Sequence, residues 1–307
     1  MKNCMFEGSL VNSKQNRAYL RDFSSLRAAC DSRIVLEERA LLFDSKKNLI
    51  FNLAGIRGIM PYEECAALFG TASLREISVI SRVGKPVCFV ITDFVQRDGE
   101  TAALLSRREV QERFLSEYVD SLVAGDIVDA QITHVERFGC FADIGRGITS
   151  LLPIDSICIS RITHPTQILR VGMQVRCVVK SRDEFGRLLL SHKELLGTWA
   201  ENAALFGVGE TVAGTVRSVE SYGVFVELTP NLAGLAEPHE GAAVGRRACV
   251  YIKSILPARM KIKLIIIDCF DDAAQELSMP KYFFDREHMD SFVYSPPGAD
   301  KLIETVF

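Results

Sequence analysis

Between Gly125 and Leu228 the chain states one pattern twice, at a constant offset of 84. Gly125-Asp-Ile-Val-Asp-Ala-Gln-Ile-Thr-His-Val-Glu-Arg-Phe138-Gly-Cys-Phe141-Ala-Asp-Ile144 returns as Gly209-Glu-Thr-Val-Ala-Gly-Thr-Val-Arg-Ser-Val-Glu-Ser-Tyr222-Gly-Val-Phe225-Val-Glu-Leu228. A repeat at fixed offset is one supersecondary unit used more than once, so the fold is read per unit. In each copy apolar residues alternate with polar ones: Val128, Ala130 and Ile132, then Val212, Gly214 and Val216. That period of two predicts half-buried strands. A strand follows the shared glycine, another follows Val171-Gly172 or Val244-Gly245, and a last one runs through Arg187–Ser191 or from Lys261. Several short strands in about 70 residues predict a small closed barrel, because closure removes exposed sheet edges.

The pattern extends beyond the two clear copies. Residues 29–108 read as a third, diverged copy, with strands at Asn48–Pro61, at Val83-Gly84 onward and at Leu104–Arg108. There the place of the aromatic pair is held by Asp44-Ser-Lys-Lys-Asn48, a polar turn-like stretch. The fold class predicted is mainly β: tandem five-stranded barrels joined by short helices. Residues 1–28 form a helical lead-in, with Phe23 and Leu26 as docking side chains. Linker helices are expected at 109–121 and 191–206, the second opening on a capping box at Ser191-His-Lys-Glu194 and burying Leu195, Leu196 and Trp199. The two good modules are then 122–190 and 207–270. Residues 271–307 are an acidic tail whose aromatics predict partial packing on the third module.

Charge decides little. The chain carries 36 Lys and Arg against 39 Asp and Glu, whereas nucleic-acid binders usually advertise a basic excess. The tail supplies much of the imbalance, leaving the modules near neutrality. The nine cysteines form no Cys-x-x-Cys pair, which fits free thiols in a reducing cytoplasm and argues against zinc. No apolar run approaches spanning length and no signal-peptide core opens the chain, so no membrane association is expected and the predicted location is cytoplasmic.

The order Phe138-Gly-Cys-Phe141, Val171-Gly172, Asp183-Glu-Phe-Gly-Arg187-Leu-Leu-Leu-Ser191 resembles the RNA-binding repeat of the small-subunit ribosomal protein S-one family, whose barrels are of the OB-fold type. The resemblance covers all of the first good copy and runs through Lys253 in the second. Single-stranded RNA is held by stacking bases on aromatic rings. Rings at 138 and 141 would face opposite sides of a flat strand, and a bulge at Gly139 would bring them together. Spacing alone leaves Phe141 and Phe225 open between core and surface, while Phe138 and Tyr222 read as surface residues. The resemblance assigns all four to the stacking platform and Arg187, after Asp183, to binding. Lys180, Arg182, His192 and Lys193 lie nearby in sequence; Lys253, Arg259 and Lys261 are the cations of the last module. Two departures stand out: Pro153 and Glu237 occupy a place where many family repeats carry histidine, and a carboxylate there repels phosphate.

Catalytic motifs are missing: there is no Gly-x-x-x-x-Gly-Lys loop and no His-Glu-x-x-His. The expectation is a non-enzymatic, cofactor-free protein that binds single-stranded RNA, including mRNA. The resemblance implies association with the small ribosomal subunit in translation initiation, with residues 29–108 as the docking module. The alternatives are a protein-interaction scaffold and a regulator of RNA decay or transcription built from the same modules.

Overall fold

The computed structural model describes residues 5–70, 73–97, 99–271 and 279–307. Expectations that fall on residues 1–4 of the lead-in, Cys4 included, and on 272–278 of the tail lie outside the described residues. Two compact units are present. One comprises Met1–Leu122 with the segments Asp143–Ser150 and Arg182–Arg187; the other comprises Val123–Ala142, Leu151–Ser181 and Leu188–Phe307.

In the first unit, Leu26 is fully buried on a helix, Phe23–Asp31, whose N-cap Asp22 accepts a hydrogen bond from the Ser25 amide. Phe23 stays half exposed, its ring edge-on to Phe94 at 5.0 Å. The sheet beside this helix differs from a closed barrel in one place. Leu36–Arg39 pairs with Pro86–Arg97 at one end of the order, and Leu42–Phe43 pairs with Leu49–Leu53 at the other. These end strands are consecutive pieces of one segment. Between them the Ala40 amide donates to Lys85 and the Leu41 amide to Ile50, at 3.1 and 2.8 Å. The chain thus leaves one neighbour and joins the other within two residues, so the first module is a ring interrupted at Ala40-Leu41. Leu36, Phe51, Phe89 and Leu105 fill it.

The same unit holds a buried polar cluster. The Glu7 carboxylate accepts from Arg107 at 2.6 and 2.9 Å, from Arg82 at 2.6 Å and from the Cys88 amide at 3.1 Å. Asp143 accepts from the amides of Glu7, Gly145 and Gly147. Gln111, on the helix Arg108–Glu117, donates to the Arg146 carbonyl. These bonds fix the 143–150 segment within the unit.

Two closed five-stranded barrels complete the chain. The strands Ile127–Glu136, Gly139–Asp143, Thr149–Pro153, Gln174–Arg182 and Leu188–Ser191 form one; Thr211–Glu220, Gly223–Thr229, Leu232–Ala236, Arg247–Leu256 and Lys261–Phe270 form the other. The link between them is not one helix. A 3-10 turn, Lys193–Leu196, stops at Gly197, whose φ of 87° is left-handed, and a separate helix follows at Trp199–Ala203. The capping box belongs to this second piece, between Thr198 and Glu201. Ser191 instead hydrogen-bonds the Glu194 side chain, both of them buried. Leu195, Leu196 and Trp199 are buried, and Leu195 and Trp199 join Val216, Val250 and Leu264 in one core.

The tail packs more widely than its aromatics implied. Phe292 and Tyr294 enter that core, and the Tyr294 hydroxyl donates to the Asn231 carbonyl. Further back it runs along the preceding barrel: Arg176 donates from its amide to the Tyr282 hydroxyl and from its guanidinium to the carbonyls of Phe284 and Arg286. The Ile127 amide donates to Glu287, and Met289 donates to Gly125. Among the described residues the cysteines are free thiols, and no helix is long and apolar enough to cross a membrane.

Candidate nucleic-acid interface

The repeated hairpin positions the rings. Arg137-Phe138 and Ser221-Tyr222 are two-residue turns, so Phe138 and Tyr222 stand at the tip rather than inside a strand. Phe141 and Phe225 lie on the following strand, facing outward and half buried. The turn resolves the phase difficulty that spacing posed, and it corrects the expected bulge at the glycine. In the third module the register shift falls on the opposite strand, between Val216 and Ser218.

The glycines have another role. A Cβ on Gly139 would stand well inside contact distance of the Leu152 carbonyl oxygen, and one on Gly223 would do the same at Ala236. Their φ angles, 155° and 157°, are positive values that L side chains rarely adopt, so backbone conformation and close approach of two strands both require glycine. Gly139→Ala is expected to destabilise the protein by about 1–3 kcal/mol, because the neighbouring backbone must shift. A chemical-denaturation midpoint equal to that of the unsubstituted protein would show that the strands can separate without cost.

The ring geometry recurs. Phe138 and Phe141 meet edge-to-face at 6.0 Å and 85°; Tyr222 and Phe225 do so at 6.3 Å and 88°. Phe138 is 55% exposed and Tyr222 67%. In each pair the exposed tip ring stands edge-on to a ring of the following strand, and an exposed aromatic face is chemically able to stack a base without reading its edges. Sequence reasoning missed a third ring. His134 lies parallel to Phe141, 25° apart at 6.3 Å, with its Nε2 2.8 Å from Glu136. The alternation of Val128, Ala130 and Ile132 puts His134 on the inner face; it is exposed because the alternation breaks after Ile132, at the place where the third module shifts register between Val216 and Ser218.

The cations separate into used and unused groups. Arg187 is held by Asp183 at 2.7 Å and lies over the Phe185 ring at 5.1 Å. Burial pushes the Asp183 carboxyl up, but hydrogen bonds from Arg187 and from backbone amides bring it below its usual value. Arg182 spends its guanidinium on the carbonyls of Val119, Leu122 and Gly186, a structural arrangement. Lys193 reaches the Asp155 carbonyl, while Lys180 is exposed. His192 differs most from expectation: it is fully buried. Its Nδ1 donates to the Ile157 carbonyl and its Nε2 faces the Tyr282 hydroxyl at 3.3 Å. Burial lowers its pKa to about 4, so it is a neutral interior residue and not an exposed cation.

In the third module Lys253, Arg259 and Lys261 are all exposed. The turn that ends at Gly186 before Arg187 is matched by one ending at Met260 before Lys261, both left-handed, with φ of 86° and 49°. Pro257 replaces Asp183 there and Arg259 replaces Phe185, so Lys261 lacks the carboxylate that restrains Arg187.

With this geometry in place, comparison with known proteins is specific. A family model described as the S1 RNA binding domain matches residues 122–193. The small ribosomal subunit protein bS1 of Rhizobium meliloti is 27% identical over 235 residues, covering 75% of this chain and 40% of that protein. The bS1 of Rhodopseudomonas palustris is 31% identical over 173 residues, 54% of this chain and 30% of that protein. In Staphylococcus aureus strain COL, bS1 is 24% identical over 315 aligned residues, 96% of this chain and 78% of that protein. The chain thus spans less than half the length of the first two relatives.

Proposed function

From a chain that carries an S1 RNA-binding domain at residues 122–193 and resembles the small ribosomal subunit protein bS1, we propose that this protein binds single-stranded RNA through its two closed barrels and holds unstructured mRNA at the small ribosomal subunit during initiation. The observation that carries the reading is the recurrence of one edge-to-face ring pair, 84 residues apart, at an exposed hairpin tip. Two such platforms on one chain suit a flexible strand, which is held by its bases without their edges being read. In this reading the protein has no catalytic step and needs no cofactor.

The first module is assigned a different task. Ile50 is paired with Ile59, and Ile59 with Leu104, so the row that carries rings in the other modules is aliphatic. Its Asp44–Asn48 turn is closed on itself, Asp44 accepting from the amides of Lys46 and Asn48. Ile50 and Ile59 are buried in a small cluster with Ala102, so this row offers no ring to a base, and residues 29–108 are proposed instead as the docking module for the small subunit. The test is co-sedimentation of the full chain with isolated subunits before and after nuclease treatment. Nuclease-resistant association supports docking through protein; complete release on digestion removes it and leaves RNA as the only tether.

Salt provides a second measurement. Near-neutral modules can displace few counterions, so binding to an unstructured oligonucleotide should weaken with a log–log slope of about −0.7 per phosphate contacted. Lys180, Arg187, Arg259 and Lys261 would supply roughly two to four such contacts. A slope several times steeper would mean that cations rather than rings dominate.

A further inference from the structure

Strand register places four side chains in one row across the outer face of each closed barrel. In the third module Ser218 is opposite Phe225, Phe225 is opposite Leu235, and Leu235 is beside Lys263 in the parallel pair. In the second, Leu151 is beside Leu189, and the His134 ring lies along Phe141. The offset of 84 makes His134 the counterpart of Ser218 and Leu151 that of Leu235. One row therefore reads His134, Phe141, Leu151, Leu189; the other reads Ser218, Phe225, Leu235, Lys263. The scaffold is shared and the row differs at its two ends, where a ring is exchanged for a hydroxyl and an aliphatic side chain for an ammonium.

The second exchange has an electrostatic consequence. Two strand spacings separate Phe225 from Lys263, about 10 Å between their backbones. The four-carbon stem of lysine can carry its charge to the phosphate beside a base stacked on Phe225. Lys263 is exposed, as is Lys261 two residues earlier on the same face. The third module's ion pairs are Arg217 with Glu227 and Arg246 with Asp271; among the described residues neither lysine takes part in one. At the matching place in the second module, Leu189 supplies no charge.

Resting on the RNA-binding reading, we infer that these two rows divide the strand's contacts. The row at 134–189 stacks bases, with His134 as its third ring, and the row at 218–263 pairs its stacked base with a phosphate contact from Lys263. Each end residue can be exchanged for its counterpart: Lys263→Leu and His134→Ser, both at exposed positions. Fluorescence anisotropy with labelled oligouridylate is read across salt from about 50 to about 200 mM, using the full chain. The pH is held near 8, where an ordinary imidazole is neutral. Lys263→Leu is expected to make the log–log slope shallower by about 0.7 and to lose affinity mainly at low salt. His134→Ser is expected to lose roughly five-fold or more at every salt concentration, with the slope unchanged. Thermal melts within the range of the unsubstituted protein establish that both variants are folded. A folded Lys263→Leu with the original slope, or a folded His134→Ser with the original affinity, overturns the division. Failure of the unsubstituted chain to bind at any salt overturns the RNA reading itself and takes the division with it.

Discussion

Replacing Glu7 with glutamine is expected to destabilise the first unit by about 3–5 kcal/mol, the cost of leaving a buried charge without its partner. Arg107 is the charge in question: its side chain is 4% exposed, and the Glu7 carboxylate meets it through two parallel hydrogen bonds. Arg82 shares the same carboxylate. Glutamine keeps the shape and one acceptor but leaves two guanidinium groups facing each other. Burial by itself would raise the Glu7 pKa; the Arg107 and Arg82 charges and their hydrogen bonds outweigh it and hold the group at about 2. A carboxyl depressed in the folded state contributes stability that is complete above its unfolded value near 4.5 and disappears as pH falls through the folded value. Asp143 acts in the opposite sense, since burial raises its pKa to about 6 despite three amide donors. What it costs above pH 6 is recovered as pH drops towards 4. Denaturant titrations of both proteins should show a gap that is constant well above pH 6, where both carboxyls are ionised, and that closes as pH falls from about 4.5 towards 2. A gap that persists undiminished near pH 2 would mean that the glutamine acts through packing and not through charge.

Local pattern and long-range contact contributed differently to what could be read from the chain. The repeat and its alternation are local, and from them the strands of both barrels and the surface position of Phe138 and Tyr222 were legible. What failed depended on neighbours distant in sequence. Gly139 looked like a phase-resetting bulge because its constraint, the Leu152 carbonyl, lies on another strand. His192 sits two residues beyond Leu190 in a run that reads as half exposed, yet Tyr282 closes over it from ninety residues away. Arg182 carries the charge of an RNA ligand and spends it on the carbonyls that end the preceding linker. Asp143 and Glu227 are the same residue of the repeat by offset. One accepts amide hydrogen bonds from Glu7 and its own loop, while the other forms a buried pair with Arg217 at 2.7 Å. The repeat specifies a carboxyl group at that place; its partner depends on what packs there.

The double substitution Phe138→Ala with Tyr222→Ala is expected to weaken binding to an unstructured RNA oligonucleotide by about 2–6 kcal/mol, while the fold is retained. Each ring stands at a hairpin tip with more than half its surface in solvent, so its removal leaves no cavity and little burial is lost. Each also props its partner: without the edge of Phe138, Phe141 retains only His134, and without Tyr222, Phe225 has no aromatic neighbour in its row. The loss should therefore exceed that of a peripheral contact and fall unequally, because the second module keeps two rings and the third keeps one. The single variants separate these contributions. Phe138→Ala should be the milder of the two if the remaining stack of His134 on Phe141 still accepts a base, and Tyr222→Ala the more severe per module. The strand joins the modules, so each tethered contact raises the local concentration for the other, and the double variant should lose more than either single. A folded double variant with undiminished affinity would remove the rings from the binding mechanism and leave the cations of the two barrels to account for it.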